Sequence, residues 1–108
     1  MRKHKVLFDT RAKLDLLEIF QYVQINDSDE AATGLLSKME LTCTSLEKIP
    51  TRGHIPEELR GTGIKKYLEI HFKPYRIIYE IKNSIIYIHS VLDGRRNIQD
   101  ILSERILR

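Results

Sequence analysis

The sequence predicts an α+β fold: an N-terminal strand, an α-helical hairpin packed on an antiparallel β-meander, and a short C-terminal helix. Two observations predict it. Apolar residues recur every three or four positions in the first half of the chain, but alternate with a period of two in the second half. At 108 residues the chain can bury one modest core, and no linker divides it. Residues 1–108 are therefore expected to form a single domain.

The first half of the chain begins with a short strand at residues 5–9, after which Asp9 or Thr10 can cap a helix. Asp15 is among the polar residues of this helix that are expected to face water. The apolar residues of the helix share the opposite face, which predicts that this face is buried: Leu16, Ile19, Phe20 and Val23.

A second helix is expected after the polar break at residues 26–30, where Asp27 and Glu30 resemble a capping box. It should end before Pro50. Met39 and Cys43 lie in its apolar stripe, so both are interpreted as core residues. Because the break is short, the two helices should pack as an antiparallel hairpin.

Three consecutive strands with short connections follow, at residues 67–72, 75–81 and 85–92, and they predict an antiparallel meander. The last two strands are apolar on both faces, so both faces need a cover. Strict alternation groups the side chains of the third strand as Ile85, Tyr87 and Val91 on one face and Ile86, Ile88 and Leu92 on the other.

The helical hairpin can cover only one face of this meander. The other face must be covered by the C-terminal segment, by a partner chain, or by both. Asn97 can cap a C-terminal helix whose apolar stripe is suited to this role. The helix would be marginal alone because it is so short, so it needs a surface to pack against.

Composition and charge exclude several classes of protein. No run of apolar residues is long enough to span a membrane, and a single cysteine excludes internal disulfides and thiolate-cluster zinc sites. A cytoplasmic protein is therefore expected. Residues 60–96 carry a local excess of positive charge, which favours an anionic partner. Eight basic residues stand there against Glu69, Glu80 and Asp93: Arg60, Lys65, Lys66, Lys73, Arg76, Lys82, Arg95 and Arg96.

Two segments carry a resemblance to a known family. The strand segment Pro74-Tyr75-Arg76-Ile77-Ile78-Tyr79 and the turn Asp93-Gly94-Arg95-Arg96-Asn97 resemble the RelE/ParE superfamily of bacterial toxins, and the ParE-like branch most. The order of predicted elements is similar over essentially the whole chain. The resemblance implies a toxin of a type II toxin–antitoxin system that is neutralised by a cognate antitoxin.

RelE-like members of the superfamily are ribosome-dependent mRNA endonucleases, and this sequence matches them only in part. Arg76 and Arg96 match their two arginines. Leu102 stands near the position of their helix tyrosine, and Glu69 would place a negative charge where RNA phosphate should sit. Arginine is also a poor proton shuttle. Substitutes for the missing acid and base would have to come from the strands: His71, His89, Tyr75 or Tyr87.

ParE-like members are poisons of DNA gyrase, a task that needs a binding surface and no catalytic residues. We expect Arg76, Arg95 and Arg96 to be the target-binding residues, because a guanidinium can engage carboxylate or phosphate bidentately. The alternative is that Arg95 and Arg96 only pair with Asp93 or Asp100. A third interpretation is a degenerate toxin that acts only as a binding module.

An acidic antitoxin segment that folds on binding is expected to lie across the helical hairpin and the sheet edge. The sequence contains no phosphate-binding loop and no cofactor motif, so no cofactor is expected. No metal is expected either, since the histidines lack the spacing of metal ligands: His4, His54, His71 and His89.

Overall fold

The computed structural model describes residues 3–106, and it confirms the predicted α+β architecture. The elements follow the expected order: β1 (Lys5–Phe8), α1 (Thr10–Asn26), α2 (Asp29–Thr44), β2 (Tyr67–Phe72), β3 (Tyr75–Lys82), β4 (Ile85–Asp93) and α3 (Ile98–Arg105). The strands form one sheet in the order β1-β4-β3-β2. β2, β3 and β4 are the antiparallel meander, and β1 adds to β4 in parallel. Within residues 3–106, every helix is too short or too polar to cross a membrane.

The caps of the hairpin helices are partly as predicted. Asp9 caps α1, and its Oδ1 accepts a hydrogen bond from the Ala12 amide at 2.9 Å. The expected capping box at Asp27 is wrong, because Ser28 is the N-cap of α2 and its hydroxyl accepts from the Ala31 amide at 3.0 Å. Asp27 instead closes α1, with its amide donating to the Val23 carbonyl.

A β-bulge in β4 overturns the predicted faces of that strand. Ile78 pairs with Ser90 and Tyr79 with Ile88, so His89 is an extra residue that reverses the alternation. Beyond the bulge, Val91 lies on the same face as Ile86 and Ile88, and Leu92 lies on the opposite face.

Each face of the sheet packs against its own apolar core. The hairpin covers one face, where Met39 and Cys43 pack on Ile77 and Tyr79 as the sequence predicted. Burial and the nearby Glu40 charge raise the pKa of Cys43 to about 12, so its thiol stays protonated. The opposite face is covered by α3 and by the loop between α2 and β2, and this core consists of Leu59, Tyr67, Ile78, Leu92, Ile98 and Leu102.

Asp15 was expected to face water, and that expectation is wrong. Its carboxylate is buried beneath β4, where it accepts a hydrogen bond from the Val91 amide at 2.9 Å. Arg105 of α3 donates two further hydrogen bonds to it, at 2.8 and 2.9 Å, and a third to the Ser90 hydroxyl. Asp15 therefore joins α1, β4 and α3, because the Val91 amide beside the bulge and the Arg105 guanidinium both need an acceptor.

Candidate functional site

Arg76 lies on β3, on the sheet face that points away from the helical hairpin. Its guanidinium donates to both carboxylate oxygens of Glu58 at 2.7 Å, and to both oxygens of Glu69 at 2.6 and 2.7 Å. The Arg76 side chain is 17% exposed. Its two partners come from different segments, since Glu58 lies in a short 3-10 turn and Glu69 on β2. These hydrogen bonds raise the pKa of Arg76 and hold the pKa of Glu58 below its ordinary value.

Glu69 and His71 share this sheet face with Arg76. Glu69 is 1% exposed, and its Oε2 also contacts the Nε2 of His71. His71 is the register partner of Arg76 across the β2–β3 ladder, and its side chain is half exposed. The charge of Glu69, which the sequence suggested would repel a phosphate, is therefore already matched by a guanidinium.

The loop before β2 places His54 beside Glu69. The backbone of His54 pairs with that of Glu69 through two hydrogen bonds, of 3.1 and 2.7 Å. Gly53 is needed beside it, because a Cβ there would lie 2.6 Å from the Tyr79 hydroxyl. The Tyr79 hydroxyl also anchors this loop, since it accepts from the Gly53 amide and donates to the Pro50 carbonyl.

His54, Glu69 and His71 consequently form a cluster that the sequence analysis missed. Their ligand atoms all lie within 4.8 Å of one another, and the two imidazole rings meet edge to face at 5.4 Å. His71 and Glu69 lie two apart on one strand, which a period of two places on one face. His54 reaches them only through tertiary pairing, so the spacing of histidines along the sequence gave no signal.

The Gly-Arg-Arg turn lies at the end of β4. Arg95 is 71% exposed and pairs with Asp93, whose two carboxylate oxygens accept from its Nε and Nη2 at 2.9 and 2.7 Å. Gly94 packs so closely on β3 that a Cβ would lie 2.8 Å from the Pro74 carbonyl oxygen. The turn is therefore fixed against the strand that carries Arg76.

Of the three arginines expected to bind the target, Arg95 and Arg96 together line a cavity of about 360 Å³, and Arg76 does not line it. Arg76 and Arg95 line a cavity of about 380 Å³ together with His54 and His71. Arg96 lines a different cavity of about 410 Å³, whose other charged or titratable residues are Arg11, His89, Glu104 and Arg105. In that cavity, burial lowers the pKa of His89, which favours the neutral imidazole.

Two further expectations about the site can be compared with the structure. The pairing of Arg95 with Asp93 is present, whereas the Asp100 carboxylate accepts a hydrogen bond from the Asn97 side chain and the Asp100 amide donates one to Asn97 Oδ1. Leu102, near the position of the RelE-like helix tyrosine, is fully buried in the core beneath α3.

The sequence matches the family model of the ParE toxin of the type II toxin–antitoxin system parDE over residues 6–98. The matched stretch contains most of β1, the helical hairpin, the three strands of the meander and the turn that carries Arg95 and Arg96. The chain belongs to the ParE toxin family. A comparison of this ParE-family toxin with curated proteins finds no significant match.

Three solved structures are similar in fold to this toxin. A chain of the chromosomal ParDE system from P. aeruginosa superposes with a TM-score of 0.68 at 14% identity, covering 82% of this chain and 94% of that one. A chain of the RelBE2 toxin–antitoxin complex from Mycobacterium tuberculosis superposes with a TM-score of 0.62 at 19% identity, covering 86% of this chain and 93% of that one. A chain of the YoeB dimer from Staphylococcus aureus superposes with a TM-score of 0.51 at 21% identity, covering 82% of this chain and 94% of that one.

Proposed function

We propose that this ParE-family toxin inhibits growth by binding and poisoning DNA gyrase, without cleaving RNA itself. The environment of Arg76 carries the proposal. Four hydrogen bonds from its guanidinium already end on Glu58 and Glu69. An arginine that stabilises the transition state of RNA cleavage must direct its donors at the phosphate. To do so here, Arg76 would have to leave the buried Glu69 with only His71 as a partner, which is unfavourable.

The target-binding surface in this proposal is the Gly-Arg-Arg turn. Arg95 is exposed, and its partner Asp93 is also partly exposed, so a carboxylate or phosphate of the target can replace Asp93 at little cost. Arg96 adds a second contact beside Arg11. In this arrangement Arg76 acts indirectly, because its side chain lies under the Gly94 turn and supports it.

The proposal is tested by expressing the toxin without its antitoxin and measuring growth and plasmid supercoiling. The double variant Arg95→Ala/Arg96→Ala should lose growth inhibition and remain folded, since both side chains are exposed. The control Lys13→Ala/Lys38→Ala removes two exposed positive charges from the hairpin and should remain toxic. A double arginine variant that is folded and fully toxic would rule out the turn as the target-binding surface. A wild-type chain that causes no growth defect would instead support the degenerate binding module.

A second candidate function is ribosome-dependent mRNA cleavage, and the position of His71 favours it. His71 lies beside Arg76 in one cavity, and Glu69 orients its imidazole, as an acid–base residue requires. Under this alternative His71→Ala would abolish toxicity while leaving the turn intact. Under the gyrase proposal His71→Ala remains toxic and Arg95→Ala/Arg96→Ala does not, so the two variants separate the candidates.

We also propose that a cognate antitoxin covers the helical hairpin and neutralises the toxin in the cytoplasm. Two of the similar structures come from toxin–antitoxin systems. The outer surface of the hairpin supports the proposal, because it exposes large apolar side chains that a partner can bury. Their exposed fractions are 47% for Leu14, 50% for Leu17, 80% for Ile25 and 69% for Leu41.

Binding of purified antitoxin to toxin variants tests this docking surface. Leu17→Glu/Ile25→Glu should weaken antitoxin binding by at least about tenfold, since burying one such side chain is worth about 1.5–3 kcal/mol. Inhibition of gyrase should be unchanged because the Gly-Arg-Arg turn is intact. Glu18→Gln/Glu40→Gln is the control on the same helices, because it changes two exposed side chains without adding a negative charge that would repel an acidic antitoxin. Equal antitoxin affinity for wild type and Leu17→Glu/Ile25→Glu would place the antitoxin elsewhere.

A further inference from the structure

We infer that His54, Glu69 and His71 form a binding site for a divalent transition-metal ion of the zinc class. The three side chains offer two imidazole nitrogens and one carboxylate oxygen, all within 4.8 Å of one another. Two histidines and a glutamate are a ligand set that Zn²⁺ uses where it keeps a fourth position open. Arg95 borders the same cavity, but neither Arg95 nor Arg96 is a ligand, so zinc binding can be measured separately from the proposed function.

The three ligands are held in place by the fold before any ion arrives. Glu69 and His71 extend from the same face of β2, and two backbone hydrogen bonds tie His54 to Glu69. Arg76 donates to both oxygens of Glu69 and thereby fixes its carboxylate from behind. Hydrogen bonds of this kind to a ligating carboxylate orient it for the metal. On binding, the remaining conformational entropy to be lost is therefore that of the two exposed imidazole side chains.

The spacing of the ligand atoms suits a small ion. Bonds of about 2.0–2.2 Å in tetrahedral geometry place neighbouring ligand atoms about 3.3 Å apart. Atoms that already lie within 4.8 Å need only a small rotation of the two exposed imidazoles to reach this separation. The ion would take the place of the hydrogen bond between His71 and Glu69, and the cavity of about 380 Å³ leaves its fourth position open.

The charge around the cluster also favours a cation. Arg76 is matched against two carboxylates, Glu58 and Glu69, so this group carries one excess negative charge. Both imidazoles bind a metal in their neutral form. The other charged side chains that line the cavity or pair with its residues cancel in sum: Glu57, Lys73, Asp93 and Arg95.

The experiment is a titration of the full chain with zinc chloride by calorimetry, and with cobalt chloride by visible absorption. We expect one ion per chain, a cobalt spectrum typical of tetrahedral coordination, and a rise in melting temperature with zinc. Magnesium chloride should not bind, because Mg²⁺ prefers oxygen ligands in octahedral geometry. His54→Ala and His71→Ala should each lower zinc affinity by more than about tenfold, an effect that even outer-shell substitutions can produce.

His4→Ala is the matched control, since it removes a histidine outside the cluster and should bind zinc as the wild type does. His54 is exposed, so His54→Ala is expected to fold normally, and circular dichroism checks this. The inference is wrong if the wild type binds no zinc. It is also wrong if folded His54→Ala binds zinc as tightly as His4→Ala, since surface histidines elsewhere would then explain the binding.

Discussion

Two arginine–carboxylate clusters in this toxin form similar ion pairs but differ in the groups that surround them. In one, Arg105 donates to both oxygens of Asp15, and the Val91 amide completes the hydrogen bonding. In the other, Arg76 donates to both Glu58 and Glu69. Both are well-formed, largely buried ion pairs. Both arginines border a cavity, but the first cluster joins three secondary-structure elements, whereas the second has a histidine in contact with its carboxylate.

The difference lies in what surrounds each carboxylate. Asp15 is enclosed by a backbone amide and the Arg105 guanidinium, so its hydrogen-bonding capacity is used by the fold. Glu69 also contacts the half-exposed His71, which can rotate away and bind another ligand. A buried ion pair thus indicates a structural role when its neighbours are backbone groups. It indicates a candidate binding site when its neighbours are mobile titratable side chains.

The largest predicted effect is that of Asp15→Ala on stability. The substitution leaves the Arg105 guanidinium and the Val91 amide without their acceptor, and breaking a buried pair in this way costs about 3–5 kcal/mol. We expect urea unfolding followed by circular dichroism to show a decrease in the free energy of unfolding of this size. Glu18→Ala, on the exposed surface of the same helix, is the control and should have little effect. Equal stability of the two variants would contradict the structural role of Asp15.

A smaller effect is predicted for Arg76→Met. It leaves Glu69 buried without its guanidinium, but His71 remains as a partner, so we expect a decrease in the free energy of unfolding of about 2 kcal/mol. Arg76→Met/Glu69→Gln should recover part of this loss, because the uncompensated charge is removed. Urea unfolding of the wild type, the single variant and the double variant measures these differences in the free energy of unfolding. A double variant less stable than Arg76→Met would contradict the assignment of the loss to the uncompensated charge of Glu69.

The smallest predicted effect is a pH dependence due to Glu58. Arg76 lowers the pKa of Glu58 in the folded state from its ordinary value of 4.5. The resulting stabilisation is present above pH 4.5 and is lost as the pH falls through the lowered value, because the unfolded chain then binds the proton more readily. Between pH 6 and pH 3, the free energy of unfolding from urea denaturation should therefore decrease less for Glu58→Gln than for the wild type. The same decrease in both proteins would contradict the pairing of Glu58 with Arg76.

Local sequence patterns predicted the elements but not their long-range partners. The helical hairpin, the meander and the Asn97 cap follow from periodicity and capping residues, and the structure has all of them. The faces of β4 were wrong because a bulge at His89 leaves no mark in an apolar strand. Asp15 looked like a surface residue because its partner, Arg105, lies near the other end of the chain.

The sequence predicted only part of the candidate site, again because local patterns do not show long-range contacts. The Tyr-Arg and Gly-Arg-Arg segments identified Arg76, Arg95 and Arg96, but nothing local placed Glu58 and Glu69 around Arg76. The pairing of the His54 loop with β2 is likewise a tertiary contact. Sequence reasoning thus identified the residue types of the site, while their partners depended on the fold.

We propose that the toxin acts on gyrase through exposed arginines and does not cleave RNA. The most direct test adds one preparation of purified toxin to two assays, DNA supercoiling by gyrase and mRNA cleavage on programmed ribosomes. We predict loss of supercoiling and intact mRNA, with supercoiling restored when Arg95→Ala/Arg96→Ala replaces the wild type. Cleaved mRNA together with normal supercoiling, abolished by His71→Ala, would contradict the account.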